Sequence, residues 1–193
     1  MAHSNVNAAP LLTDNLALLN SLEFDAGVLD LACGRGRNGL FLARNKIPVT
    51  FADRDGDALG HIAETLAAAG LDGECWPLDL EAEDGGLLAG SRFDAVLVFN
   101  YLHRPLFDSL RAAIRPGGLI FYETFTRQQR KFGRPHSAAF LLQENELRER
   151  FRDWEILHYF EGQLANPARA IANLIARKPC QRAGNELNRW EQE

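Results

Sequence analysis

The chain has 193 residues, 46% of them hydrophobic and 24% charged, with a formal net charge of −5. These are globular values, enough for one domain with a real core and too few for two ordinary ones. The acidic balance argues against a nucleic-acid partner, because phosphate binding wants clustered Lys and Arg.

Cys33, Cys75 and Cys180 are an odd number, far apart and without a C-x-x-C pair. That argues against a disulfide framework and a cysteine zinc site, and for thiols in a reducing cytoplasm. No His or Cys cluster has metal-ligand spacing, so no metal is expected. The start, "MAHSNVNAAPLL", lacks a basic region followed by an apolar run, so no signal peptide is expected. No apolar stretch approaches the roughly 18 residues of a membrane span.

In chain order, residues 1–10 are a loose polar segment, and 179–193 form a polar tail. Between them, 11–178 form one domain. Leu11, Leu12, Leu16, Leu19 and Leu22 fall at helical intervals, predicting one amphipathic helix. "AGVLDLAC" predicts a first strand, "RNGLFLARN" a helix and "IPVTFAD" a second strand. Ala58, Leu59, Ile62, Leu66 and Ala69 give the next helix an apolar face, with Gly70 as its C-cap. "GECWPLDL" predicts a third strand ending near Asp79. "EAEDGGLLAGS" is a turn-rich link, and its Glu81, Glu83 and Asp84 read as solvated acids.

"FDAVLVFN" is an almost wholly apolar fourth strand, as expected for one covered on both faces. Pro105 opens a helix that "RPGG" ends, and "LIFYETF" is a fifth strand. "TRQQRKFGRPHSAA" is a long irregular loop. Leu142 to Phe151 predicts a helix and "WEILHYFEG" a strand. "ARAIANLIARK" is ambiguous by pattern, and its position favours a strand.

This alternation gives an α/β fold. It is a single Rossmann-like doubly wound sheet, mostly parallel with an antiparallel last strand, and helices on both faces. Ligands in such sheets sit beyond the carboxyl ends of the strands. The positions that matter are therefore Ala32 to Gly36, Asp53, Asp79, Asn100 to His103 and Glu123 to Thr126.

Gly34 to Gly39 spell G-R-G-R-N-G, the dinucleotide string. Glycine lets the turn approach a ligand, and the helix start offers N–H groups to a negative group. That group is a pyrophosphate in one reading and a carboxylate in the other. Asp53, about twenty residues after Gly34, suits ribose hydroxyls in both. Three features favour a nucleoside carrying a cationic amino-acid end. Asp30 precedes the turn, where a carboxylate suits an ammonium or sulfonium. Asp79 at the third strand end can accept from an adenine amino group. One small domain leaves little room for a separate substrate domain, and no Tyr-x-x-x-Lys pair is present.

The combination "VLDLACGRGRNGLFLA", "VTFADRD", "PLDLE", "FDAVLVFNYLHRPLF" and "LRAAIRPGGLIFYETF" resembles the class I S-adenosylmethionine-dependent methyltransferases. The resemblance runs from about Leu11 to Lys178 and is strongest to small bacterial enzymes akin to the tellurite-resistance methyltransferases. It implies S-adenosylmethionine as cofactor. Asp30 would orient the methionine end, with Ala32, Gly34 and Gly36 forming the loop and Asn38 the helix start. Asp53 would hold the ribose, Arg54 would flank the adenine, and Asp79 and the Leu80 backbone would read its edge. Asn100 and Tyr101 would lie beside the methyl group. Ala32 stands where the family often has glycine.

Methyl transfer needs a base only when the acceptor must lose a proton. His103 and Glu123 are the acceptor-side candidates for catalysis beside Tyr101, with helix capping the competing role for His103. Arg134 is the candidate for binding an anionic group, within a run that also holds Arg127, Arg130 and Lys131. A solvated surface run is the competing account. The reading is a methyltransferase acting on a small-molecule acceptor, anionic where the basic loop binds it. The alternatives are an RNA or protein methyltransferase and a non-catalytic cofactor-binding regulator. Monomer and homodimer both stay open.

Overall fold

The computed structural model describes residues 7–81, 88 and 90–180. Glu83, Asp84 and the tail beyond Cys180 lie outside these residues. Seven strands form one sheet: β1 (Val28–Leu31), β2 (Val49–Asp53), β3 (Glu74–Pro77), β4 (Phe93–Phe99), β5 (Ile114–Phe125), β6 (Glu155–Ala165) and β7 (Ala168–Arg177), in the order β3-β2-β1-β4-β5-β7-β6. The pairs from β3 through β5 are parallel, and β7 runs antiparallel to both β5 and β6. The last strand is thus the reversed one, as its position suggested.

The helices are α1 (Pro10–Thr13), α2 (Leu16–Asn20), α3 (Arg37–Arg44), α4 (Gly56–Ala69), α5 (Leu106–Ala113) and α6 (Glu146–Arg150). Strand periodicity of two divides the core between two faces. Ala95, Leu97, Leu119 and Phe121 pack with residues of α1 to α4, such as Leu12, Leu42 and Ile62. Val96, Val98, Ile120 and Tyr122 face Phe107 of α5 and Leu147 of α6. All seven β4 side chains are buried, which explains why the strand is apolar throughout except for Asp94.

Four expectations change. The first helix is two short ones, because Asp14 and Asn15 interrupt it and the Asn15 amide donates to the Leu11 carbonyl. Strand β5 begins at Ile114, so "RPGG" lies in an irregular strand start rather than a helix stop. Strand β3 ends at Pro77, two residues before Asp79. The helix expected from Leu142 covers only Glu146–Arg150, because the Leu142 amide donates to the Phe125 carbonyl and extends the chain beside β5.

The expected irregular loop after β5 carries two 3-10 turns, Arg127–Lys131 and Ala138–Phe140. Arg104 fastens it from below. Its guanidinium donates to both Glu146 carboxylate oxygens at 2.7 and 2.8 Å and to the carbonyls of Ala139 and Leu141 at 3.0 and 2.9 Å. Burial raises the Glu146 pKa, but the Arg104 bonds outweigh it and the net shift is downward.

Candidate active site

The site is built on the β1 end. Asp30 is central in the sheet, flanked in register by Phe51 and Leu97, and is 2% exposed. Its Oδ2 accepts from the Gly39 amide at 2.8 Å. Burial, its largest influence, pushes the carboxyl up to about 7. A carboxylate in such a place is stabilised by an incoming cation.

The chain then turns through left-handed conformations at Ala32 (φ 50), Gly34 (φ 54) and Gly36 (φ 73). Ala32 carries a side chain where glycine has no steric cost, which stores on the order of 1 kcal/mol. Gly34 is the residue nearest open space, since an added Cβ there would meet nothing within 4 Å. Its amide donates to Asp53 Oδ2 at 2.7 Å, while Asp53 Oδ1 accepts from the Asp55 amide at 3.0 Å. Asp53 therefore ties the glycine turn to the β2 end, and each oxygen keeps acceptor capacity for a ligand.

Two cavities meet at Ala32 and Tyr101. One, of about 190 Å³, is bounded by Asp53, Arg54, Asp79, Leu80 and Glu81. Asp79 is exposed and its Oδ1 accepts from the Glu81 amide at 3.0 Å, while Arg54 lies 3.9 Å from the Glu81 carboxylate. Tyr101 Oη is buried with no hydrogen-bond partner among the described residues, and its pKa is pushed up to about 12, chiefly by burial. It stays protonated, a donor lacking an acceptor.

The other cavity, of about 520 Å³, is lined by Asp30, Gly34, Asn38, Asn100, Phe125 and Arg169, among others. Asn100 ends β4 with φ 57, and its amide donates to the Glu123 carbonyl at 2.8 Å. The structure thus brings Asp30, Ala32, Gly34, Asp53, Arg54, Asp79, Leu80, Asn100 and Tyr101 around two adjoining cavities.

Other candidates sit differently. Asn38 is 4% exposed, and its Oδ1 accepts from the Ala9 amide at 2.9 Å, so it also holds the N-terminal segment against α3. Gly36 packs toward Ile62 rather than open space. His103 lines neither cavity, and its carbonyl accepts from the Leu106 amide at the start of α5. Arg134 is exposed and also lines neither cavity. Glu123 is 3% exposed behind the second cavity, with Oε2 accepting from Asn173 Nδ2 at 3.1 Å and Oε1 3.7 Å from Arg169.

Arg169 is the residue that sequence reasoning missed. It stands near the start of β7 in a segment that reads as apolar core, and only the β6–β7 hairpin carries it back over the sheet. Its Nε is buried with no hydrogen-bond partner among the described residues.

A family model described as tellurite resistance protein TehB matches residues 17–173. A probable S-adenosyl-L-methionine-dependent methyltransferase TehB of Haemophilus influenzae is 28% identical over 143 residues, 70% of this chain and 48% of the relative. Hemagglutinin 1 of Eikenella corrodens is 30% identical over 143 residues, 69% of this chain and 45% of the relative. The chain spans about half the length of these curated relatives. The crystal structure of TehB from Haemophilus influenzae superposes with a TM-score of 0.69 at 24% identity, covering 92% of this chain and 62% of that one.

Proposed function

The chain belongs to the tellurite resistance protein TehB family, and from that premise we propose that it transfers a methyl group from S-adenosylmethionine to a small acceptor. The observation that carries the reading is the set of three carboxylates, Asp30, Asp53 and Asp79, around cavities that meet at Ala32 and Tyr101. The residues fit the cofactor. Asp30 is a buried acid awaiting a cation, and Gly34 leaves open the space a side chain would fill. Tyr101 offers a donor without an acceptor.

In this reading Asp30 orients the ammonium end and Asp53 accepts from the ribose hydroxyls. Asp79 and the Leu80 backbone read the adenine edge, with Arg54 across the mouth. The cofactor supplies a methyl group activated on a sulfonium sulfur. The protein's share is alignment and exclusion of water, so no catalytic triad is required. Tyr101, where the two cavities join, and Asn100 beside it in the larger one would flank the methyl group. The acceptor would enter the larger cavity beneath Arg169, whose unpartnered Nε favours an anionic group. That moves the anion-binding role from Arg134 to Arg169. No helix among the described residues is long and apolar enough to cross a membrane; the free thiols Cys33, Cys75 and Cys180 support a cytoplasmic setting.

Calorimetry with S-adenosylhomocysteine tests the cofactor. Binding is expected in the micromolar range, at least tenfold weaker in Asp53→Ala. No heat at millimolar ligand would sink the reading.

A further inference from the structure

Among the described residues, Asp30 is the one carboxylate lining the larger cavity, and the methyl-transfer reading commits it to the ammonium end of the cofactor. Arg169 presents a guanidinium whose Nε has no partner among the described residues. From behind, Glu123 holds it at 3.7 Å, and Asn173 steadies Glu123. Asn173 Oδ1 is in turn 3.0 Å from His158 Nε2. Since Asn173 donates to Glu123 through Nδ2, its Oδ1 can only accept, so His158 carries its proton on Nε2. This chain of contacts fixes the fork before any ligand arrives.

The other candidate bases lie elsewhere. Glu123 is buried behind Arg169, and His103 lines neither cavity. Asp30 is on the glycine-turn side, held by the Gly39 amide. An acceptor that must lose a proton during transfer finds no uncommitted base among the described residues. An acceptor that arrives ionised needs none. Phe99 and Phe125 supply apolar wall beside Arg169, which a bare inorganic oxyanion would leave unused. A planar two-oxygen anion matches the guanidinium fork.

We propose that the acceptor is a monocarboxylate with an apolar body, and that the product is its methyl ester. This rests on the methyl-transfer reading and names its substrate class. One carboxylate oxygen forms a bond to the methyl carbon as the carbon–sulfur bond breaks. The bonding pair stays on sulfur, which becomes a neutral thioether. One negative and one positive charge cancel, and no proton moves. Arg169 and the Asn100 side-chain Nδ2 hold the second oxygen.

The test uses the full chain loaded with S-adenosylhomocysteine and a panel of benzoate, phenylacetate and hexanoate. Each is titrated beside its neutral amide, with tellurite and selenite as the inorganic arm. At least one monocarboxylate is expected to bind tenfold or more tighter than its amide. Arg169→Met should remove that preference while keeping affinity for S-adenosylhomocysteine. Should that variant fail to fold, Arg169→Lys serves, with a partial loss expected because the charge stays and the fork goes. With methyl-labelled S-adenosylmethionine, the product should release labelled methanol in alkali, as an ester does. Equal binding of acid and amide, a preference for tellurite or selenite, or alkali-stable label alone would overturn the proposal. If S-adenosylhomocysteine does not bind, the cofactor reading fails and the ester with it, while the acid-against-amide comparison on the free protein shows separately whether Arg169 selects a carboxylate.

Discussion

The Gly39 amide donates to Asp30 Oδ2 at 2.8 Å, placing the helix that follows the glycine turn directly over a buried acid. The bond lowers the Asp30 pKa and Arg37 lowers it further, but burial outweighs both and Asp53 adds to it, so the carboxyl titrates near 7. The first prediction follows from this balance.

The unfolded chain ionises Asp30 near 3.8 and the folded chain near 7. Between those values the folded state holds a proton that the unfolded state has lost. The contribution of Asp30 to stability therefore falls as pH rises from about 4 to about 7, and its full cost remains above 7. A bound ammonium group offsets that cost by favouring the ionised form. Affinity for S-adenosylhomocysteine should rise by up to about tenfold per pH unit below 7 and level off above it. Asp30→Asn should bind more weakly, with a flat pH profile. The free variant should melt higher than the wild type at about pH 8 and show little of that gain at about pH 4. A wild-type affinity that does not change between pH 5 and 7 removes Asp30 from the cation site.

Gly34 and Gly39 separate ligand space from packing space. A Cβ on Gly39 would lie 2.3 Å from the Phe51 ring and 2.9 Å from Asp30 Oδ2, so α3 must move off the sheet. Gly39→Ala should cost about 1–3 kcal/mol or more of stability. A Cβ on Gly34 meets nothing within 4 Å, and its cost is the left-handed backbone, about 1 kcal/mol. Gly34→Ala should instead weaken S-adenosylhomocysteine at least tenfold by filling the cavity. Thermal melts and calorimetry on both variants check this. A larger stability loss for Gly34→Ala, with affinity intact, would place the ligand elsewhere.

The sheet was legible because its strands are short apolar runs set between helical patterns, and β4 in particular cannot be mistaken. The carboxylates at the strand ends followed from that order alone. What escaped was set by contacts distant in sequence. Leu142 opens the stretch to Phe151 that reads as a helix, yet the backbone partner offered by Phe125 draws it into extended chain. Arg104 follows the β4 end closely in sequence, and its five hydrogen bonds go to the loop and Glu146. Arg169 is invisible as a site residue until the register Phe125↔Ile171 lays β7 beside β5. Asp94, one letter in an apolar strand, gave no sign of its partners across nearly seventy residues of chain.

Those partners yield the last prediction. Asp94 is fully buried at the start of β4. Its Oδ2 accepts from the amides of Asp25, Ala26 and Gly27 at 2.9, 2.9 and 2.7 Å, and its Oδ1 is ion-paired with Arg115 Nε. One carboxylate thus fastens the loop before β1 to β4 and β5, at the sheet end opposite the cavities. Asp94→Asn keeps an acceptor for the amides but sets an amide group against Arg115, leaving a cation without its counter-charge. Breaking a buried pair in this way costs about 3–5 kcal/mol, which for a chain of this size lowers the melting temperature by roughly 10 °C or more. Well below that temperature the S-adenosylhomocysteine affinity should equal that of the wild type, because the partners of Asp94, residues 25–27 and Arg115, line neither cavity. A melting temperature within about 2 °C of wild type would mean that the loop is held by something other than this carboxylate. A matching loss of affinity would mean that the two ends of the sheet are coupled.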